Sequence, residues 1–106
     1  MVVSILTRKT RLTDRSQWRS ALEVVLPKLK AVLDGEDGFV SVEYLWSTDD
    51  PGAFAQITTW ESPGDCLNYV RGGGAATVAT LEDAAIPTAP YPDGAWIRRN
   101  FERQPL

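Results

Sequence analysis

Residues 38–65 read GFVSVEYLWSTDDPGAFAQITTWESPGD and hold two strand-like runs, a turn and a helix start in one block. Phe39–Trp46 and Ala53–Trp60 are the two runs, and side chains on a strand alternate between its faces. Between them lie Ser47-Thr48-Asp49-Asp50-Pro51-Gly52, residues that preset turn dihedrals or bond their own backbone. The pattern predicts a hairpin in which Phe54, Gln56, Thr58 and Trp60 share one face. That mixture of aromatic bulk with amide and hydroxyl groups suits a cavity for a flat, partly polar molecule better than a dry core. Ser62-Pro63-Gly64-Asp65 then opens a helix, with serine as N-cap, proline at the first helical position and a carboxylate in the first turn.

Working outward, Val2–Thr10 reads as a strand with apolar residues on both faces. A helix follows, begun by Thr13 or Asp14, and its stripe of Trp18, Leu22, Val25, Leu26, Leu29 and Leu33 has helical spacing. Pro27 falls inside that stripe and predicts a kink or break. The helix opened at Ser62 runs to Arg71 and stops at Gly72-Gly73-Gly74, read as a mobile joint. Ala75–Ala85 forms a further short helix, 87–94 a surface loop, and Ala95–Glu102 a last strand. Residues 1–102 make one domain and 103–106 a loose tail. The order predicts an α+β, ferredoxin-like fold: a four-stranded antiparallel sheet with helices on one face. Its bare face, apolar on this reading, predicts a second copy packed against it in a two-fold dimer.

Composition narrows the chemistry. A net charge of −3 over 106 residues argues against nucleic acid as the partner. One cysteine, Cys66, excludes an internal disulfide and fits a reducing, cytoplasmic setting. No apolar run reaches the ~20 residues needed to cross a membrane, and the N-terminus lacks the order of a signal peptide. Histidine is absent altogether, which removes the commonest general base and metal or haem ligand. No zinc spacing, catalytic triad or nucleotide-binding glycine loop is present. The expectation is a protein that uses no metal, flavin or haem, with chemistry light on proton relays.

The Gly38-Phe39 strand entry, the Ser-Thr-Asp-Asp-Pro turn and above all Thr59-Trp60-Glu61-Ser62 resemble the antibiotic biosynthesis monooxygenase family. The resemblance implies a dimeric α/β barrel, two four-stranded sheets packed face to face. Family members include anthrone oxygenases that use neither metal nor flavin, quinol monooxygenases, haem-degrading proteins and proteins without known activity. Trp60 matches the anthrone oxygenases' tryptophan, and Gln56 stands where they carry an asparagine. Their tyrosine six residues after that tryptophan falls on Cys66, leaving Tyr69 or Arg71 to replace it. The haem-degrading branch needs an axial histidine that this chain lacks. The resemblance therefore implies a cofactor-independent monooxygenase that uses dioxygen on an aromatic polyketide, anthrone or quinol-type substrate. Gln56, Trp60 and Arg71 would be catalytic, and Phe54, Thr58, Cys66 and Tyr69 substrate-binding, in a cavity between hairpin and helices. The alternative is a non-catalytic small-molecule-binding or accessory dimer of the same fold.

Overall fold

The computed structural model describes all residues 1–106. The elements are β1 (Val2–Lys9), α1 (Arg15–Asp34), β2 (Phe39–Trp46), β3 (Ala53–Trp60), α2 (Pro63–Arg71), α3 (Gly74–Ala85) and β4 (Ile97–Glu102). The strands form one antiparallel sheet in the order β2-β3-β1-β4. This is the ferredoxin-like α+β layer expected, and the sheet is open, not closed into a barrel. No helix is long and apolar enough to cross a membrane.

Alternation along β1 sorts its two sides. Val2, Ser4, Leu6 and Arg8 are buried beneath the helices, whereas Val3, Ile5 and Thr7 face the opposite way and are less covered. The register carries the same division across the sheet. Phe54, Gln56, Thr58 and Trp60 lie on the helix side of β3, and Ala55 and Ile57 on the other. In β2 a register shift between Phe39 and Ser41 leaves Val40 outside the ladder and exposed.

Asp14 caps α1 by accepting a hydrogen bond from the Ser16 N–H at 2.8 Å. Trp18, Leu22, Val25, Leu29 and Leu33 are buried along one side of the helix. Each such side chain contributes about 1.5–3 kcal/mol by leaving water. The kink or break expected at Pro27 does not interrupt the helix, which runs unbroken to Asp34. Pro27 and Glu23, whose carbonyl loses its helical donor, both lie on the wet side, where water can bond that carbonyl. Trp18 is the hub of an aromatic cluster: its ring centroid lies 5.1 Å from Trp46, 5.7 Å from Phe54 and 6.4 Å from Tyr44.

Ser62 caps α2 as its sequence predicts, accepting from the Asp65 N–H at 3.1 Å and donating to Asp65 Oδ2 at 2.9 Å. The glycine run ends in a close-packed position at Gly74, although Gly73 before it stands in open space. A side chain on Gly74 would start 2.2 Å from Glu36 Oε1 and 2.8 Å from the Tyr69 ring, so α3 can approach only without one. The loop after α3 is pinned at its start to β1: Thr10 Oγ1 donates to the Pro87 carbonyl at 2.6 Å, and the Ala89 N–H to the Lys9 carbonyl at 2.9 Å.

The sheet face away from the helices carries Val3, Ile5, Leu45, Ala55, Ile57, Ile97 and Phe101, and Leu45, Ile97 and Phe101 are each about half exposed.

Candidate functional site

Every chemically interesting side chain of β3 is shut beneath the helices. Phe54, Gln56, Thr58 and Trp60 are at most 3% exposed. Trp60 stacks on Tyr69 of α2, with ring centroids 4.5 Å apart and planes at 30°. Its Nε1 donates to Thr58 Oγ1 two residues back on the same face, at 3.0 Å. These groups pack side chain against side chain, and of them only Phe54 also lines a depression of the molecule.

Gln56 belongs to a polar cluster. Its Nε2 donates to Tyr44 Oη at 3.0 Å and to Glu82 Oε2 at 2.9 Å, and Tyr44 Oη donates to the same carboxylate oxygen at 3.0 Å. On the other side, Arg8 Nη1 donates to Glu82 Oε1 at 3.3 Å and also to Asp83 Oδ1. Glu82 is 1% exposed, and desolvation holds its carboxyl above the ordinary carboxylate range, opposed by the Tyr44 and Arg8 bonds. Burial, with the Glu82 charge beside it, pushes the Tyr44 phenol far up. One β2 residue and one from each of the central strands β1 and β3 therefore meet on an α3 carboxylate that water does not reach.

A second cluster lies toward the other end of the sheet. Arg98 of β4 donates from Nη1 to Ser4 Oγ at 2.8 Å, and its guanidinium carbon is 5.9 Å from the Tyr69 ring centroid. Cys66 is buried beside it, and desolvation pushes the thiol up against the opposing pull of Arg98. Burial likewise pushes the Tyr69 phenol up to about 12. Tyr69 Oη, Trp18 Nε1 and Arg8 Nε are buried polar atoms without a hydrogen-bond partner. Each such group costs about 1–3 kcal/mol while it lacks one.

The structure thus brings Phe54, Gln56, Thr58, Trp60, Tyr69 and Cys66 under one helical roof, but it does not bring Arg71 to them. Arg71 is exposed at the end of α2. The reason is helical geometry: residues two apart point to opposite sides, so burying Tyr69 turns Arg71 outward. Glu82, Tyr44 and Arg8 were missed as a group, although their positions carried a signal. Glu82 continues the α3 stripe of Ala75, Val78, Ala79 and Ile86, and Arg8 continues the buried parity of Val2, Ser4 and Leu6. Trp96 lies against the Arg8 guanidinium, 4.2 Å from ring centroid to guanidinium carbon.

An open depression of about 520 Å³ lies at the hairpin end of the sheet, walled by Leu45, Trp46, Phe54 and Arg8, with Asp49 and Asp50 also lining it. A neighbouring one of about 370 Å³ shares Arg8. No three His, Cys, Asp or Glu side chains gather as a metal-holding group.

No protein-family model matches the chain, and no curated protein matches it. Solved structures do share its architecture. SnoaB, a cofactor-independent oxygenase from Streptomyces nogalater, is 15% identical with a TM-score of 0.66, over 99% of this chain and 94% of that one. A monooxygenase from the gene ActVA-Orf6 of Streptomyces coelicolor, in complex with the ligand Nanaomycin D, is 15% identical with a TM-score of 0.69, over 99% and 88%. At such identities the likeness is one of fold, and that fold is the one implied by the Thr59-Trp60-Glu61-Ser62 resemblance.

Proposed function

We propose that the chain is a small cofactor-independent monooxygenase that oxidises an anthrone- or quinol-type aromatic with dioxygen, working as a homodimer. The observation that carries this reading is the buried Glu82 carboxylate, bonded to the Gln56 amide on the β3 face that also bears Trp60. The acidic methylene C–H of an anthrone needs a base to become a carbanion, and a carboxylate raised by desolvation is a better base than an exposed one. In a chain without histidine, Glu82 is the group equipped for that step. Gln56 and Tyr44 orient it, and Arg8 balances its charge.

The electrons balance without a cofactor. The carbanion passes one electron to dioxygen, and the radical pair joins carbon to oxygen as a peroxide. The peroxide then loses water to leave a ketone: one methylene and one dioxygen give one carbonyl and one water. Phe54, Thr58 and Trp60, packed together in the structure, part to admit the substrate and then wall an apolar slot that excludes bulk water. The buried Tyr69 hydroxyl, free of any partner beside the Trp60 ring, donates to the oxygen that develops charge. Cys66 fills the end of the slot, and Arg71 at the surface takes no direct part. The apolar face with Leu45, Ile97 and Phe101 half exposed supports the dimer.

A non-catalytic binding dimer is the second reading, favoured by how closely Trp60, Thr58 and Tyr69 pack on one another. Oxygen uptake separates the two. On the first reading the purified protein, supplied with a panel of anthrones and quinols, consumes dioxygen in proportion to ketone formed, and Glu82→Gln abolishes the uptake. Uptake no faster than in buffer across the panel would leave the binding reading.

A further inference from the structure

The sheet face turned away from the helices carries its charge in a pattern. Register sets Glu43 of β2, Ile57 of β3, Ile5 of β1 and Arg99 of β4 side by side in one row across that face. Glu43 and Arg99 are both exposed, and neither meets an opposite charge within its own chain. The other strand-borne charge on the face, Lys9, is already set against Asp50. The row is therefore acidic at one edge of the sheet, basic at the other and apolar between, with its ends about 14 Å apart across three strand spacings. To one side lies a row that ends in Ser41 and Phe101, and to the other a row that ends in Leu45 and Ile97.

Two copies of this sheet packed face to face have two simple two-fold arrangements, and the charged row tells them apart. With the axis across the strands, Glu43 faces the second copy's Glu43 and Arg99 faces its Arg99, while Leu45 lies over Ser41. With the axis along the strands, Glu43 faces the second copy's Arg99, and symmetry repeats that pair at the other rim. Leu45 then covers Ile97, and Ile57 covers Ile5. Aligned sheets pack about 10 Å apart, a gap that a glutamate and an arginine reaching from opposite sides can close. Like charges set opposite each other suppress a pairing, and matched ones fix its register.

We infer that the open face pairs with a second copy about an axis running along the strands, held in register by Glu43–Arg99 ion pairs between subunits at both rims. The orientation rests on the homodimer reading and is independent of any oxygenase activity. It has a consequence for the hairpin-end depression, which Thr7, Leu45 and Ala55 of one row also line. An axis along the strands brings the depressions of both copies to the same end of the dimer, facing one another. An axis across the strands sends them to opposite ends.

Sedimentation of full-length variants tests the orientation. Glu43→Arg and Arg99→Glu each set like charges opposite one another in their own homodimer, and each should weaken it on the order of 100-fold. Mixed one to one, the two variants should pair with each other at close to wild-type strength, because both facing pairs are then opposite in sign. The double exchange, Glu43→Arg with Arg99→Glu, should dimerise as wild type does, which also shows that the replaced side chains leave the fold intact. A nitroxide on Thr48→Cys, at the hairpin tip, gives a second readout, since the native Cys66 is buried from the label. The tip-to-tip separation should be about 15–20 Å with the axis along the strands, against more than about 30 Å with the axis across them. If a single charge variant fails to fold, the label distance decides. Single variants that dimerise like wild type, a mixture that stays monomeric, or the longer separation overturns the orientation and leaves the homodimer standing. A wild-type chain that stays monomeric at micromolar concentration removes the homodimer, and the orientation with it.

Discussion

Removing the Glu82 carboxylate is the sharpest test of the buried cluster. In Glu82→Ala, Arg8 keeps only Asp83, whose side chain is 47% exposed and so pairs in a solvent-screened setting. Tyr44 Oη loses its acceptor, while Gln56 keeps the Tyr44 oxygen. Breaking a buried pair costs about 3–5 kcal/mol, and the surviving Asp83 contact places the expected loss near ~3 kcal/mol. At roughly 4–8 °C per kcal/mol for a domain of this size, melting should fall by about 12–24 °C. Glu82→Gln keeps the volume and one carbonyl acceptor, and should cost only about 1–2 kcal/mol. The two variants also differ in how they respond to pH. Desolvation raises the Glu82 pKa in the folded protein, so the unfolded chain releases that proton first. The stability Glu82 contributes is therefore full below its unfolded pKa and declines as pH rises through the folded one. Glutamine does not titrate, so the advantage of wild type over Glu82→Gln should shrink as pH rises above the ordinary glutamate range, about 4. Urea unfolding across that window measures it. An advantage that grows with pH would show that the bonds from Arg8 and Tyr44 outweigh desolvation, reversing the assignment.

Three further outcomes follow from the packing. Trp60→Ala should cost about 3–5 kcal/mol by denaturant unfolding, the range for a buried aromatic cut to a methyl; a loss under about 1 kcal/mol would mean that the ring does not fill the space between β3 and α2. Gly52→Ala should cost about 2 kcal/mol, because φ is +88° and the new Cβ would start 2.6 Å from the Thr10 carbonyl oxygen; an unchanged midpoint would refute that turn geometry. Sedimentation at micromolar concentration should give a dimer, and Leu45→Asp or Phe101→Asp a monomer; a stable wild-type monomer would remove the face-to-face arrangement.

What could be read from the chain was local. The hairpin followed from alternation and turn residues, the α2 start from Ser62 and Pro63, and the α1 buried side from spacing alone. The face of Trp60 was legible, and so was Tyr69 folding back over it, but the partners of Gln56 were not, because they come from other elements. Glu82 lies twenty-six positions beyond Gln56, and nothing in its neighbourhood announces that α3 will lay it on the sheet. Arg71 misleads for a different reason: its charge suits an anion, but its two-residue offset from the buried Tyr69 turns it to the surface. Likewise the glycine run reads as freedom in the sequence, whereas at Gly74 it leaves room for the Glu36 and Tyr69 side chains.

The placing of β1 has a bearing on how the chain is made. The first strand to emerge during synthesis is an inner one, with β3 on one side and β4 on the other. The Met1 carbonyl finally accepts from the Arg103 N–H, at the opposite end of the chain. Until residues 97–102 arrive, β1 presents a bare edge, a template for pairing with another nascent chain. Closing that contact requires nearly the whole chain as a loop, which slows the final step relative to the hairpin. The interval between translation of β3 and translation of β4 is thus the protein's most aggregation-prone period. A premature stop before Ile97 would prolong that state indefinitely, so such truncations should be found in inclusion bodies and not in the soluble fraction.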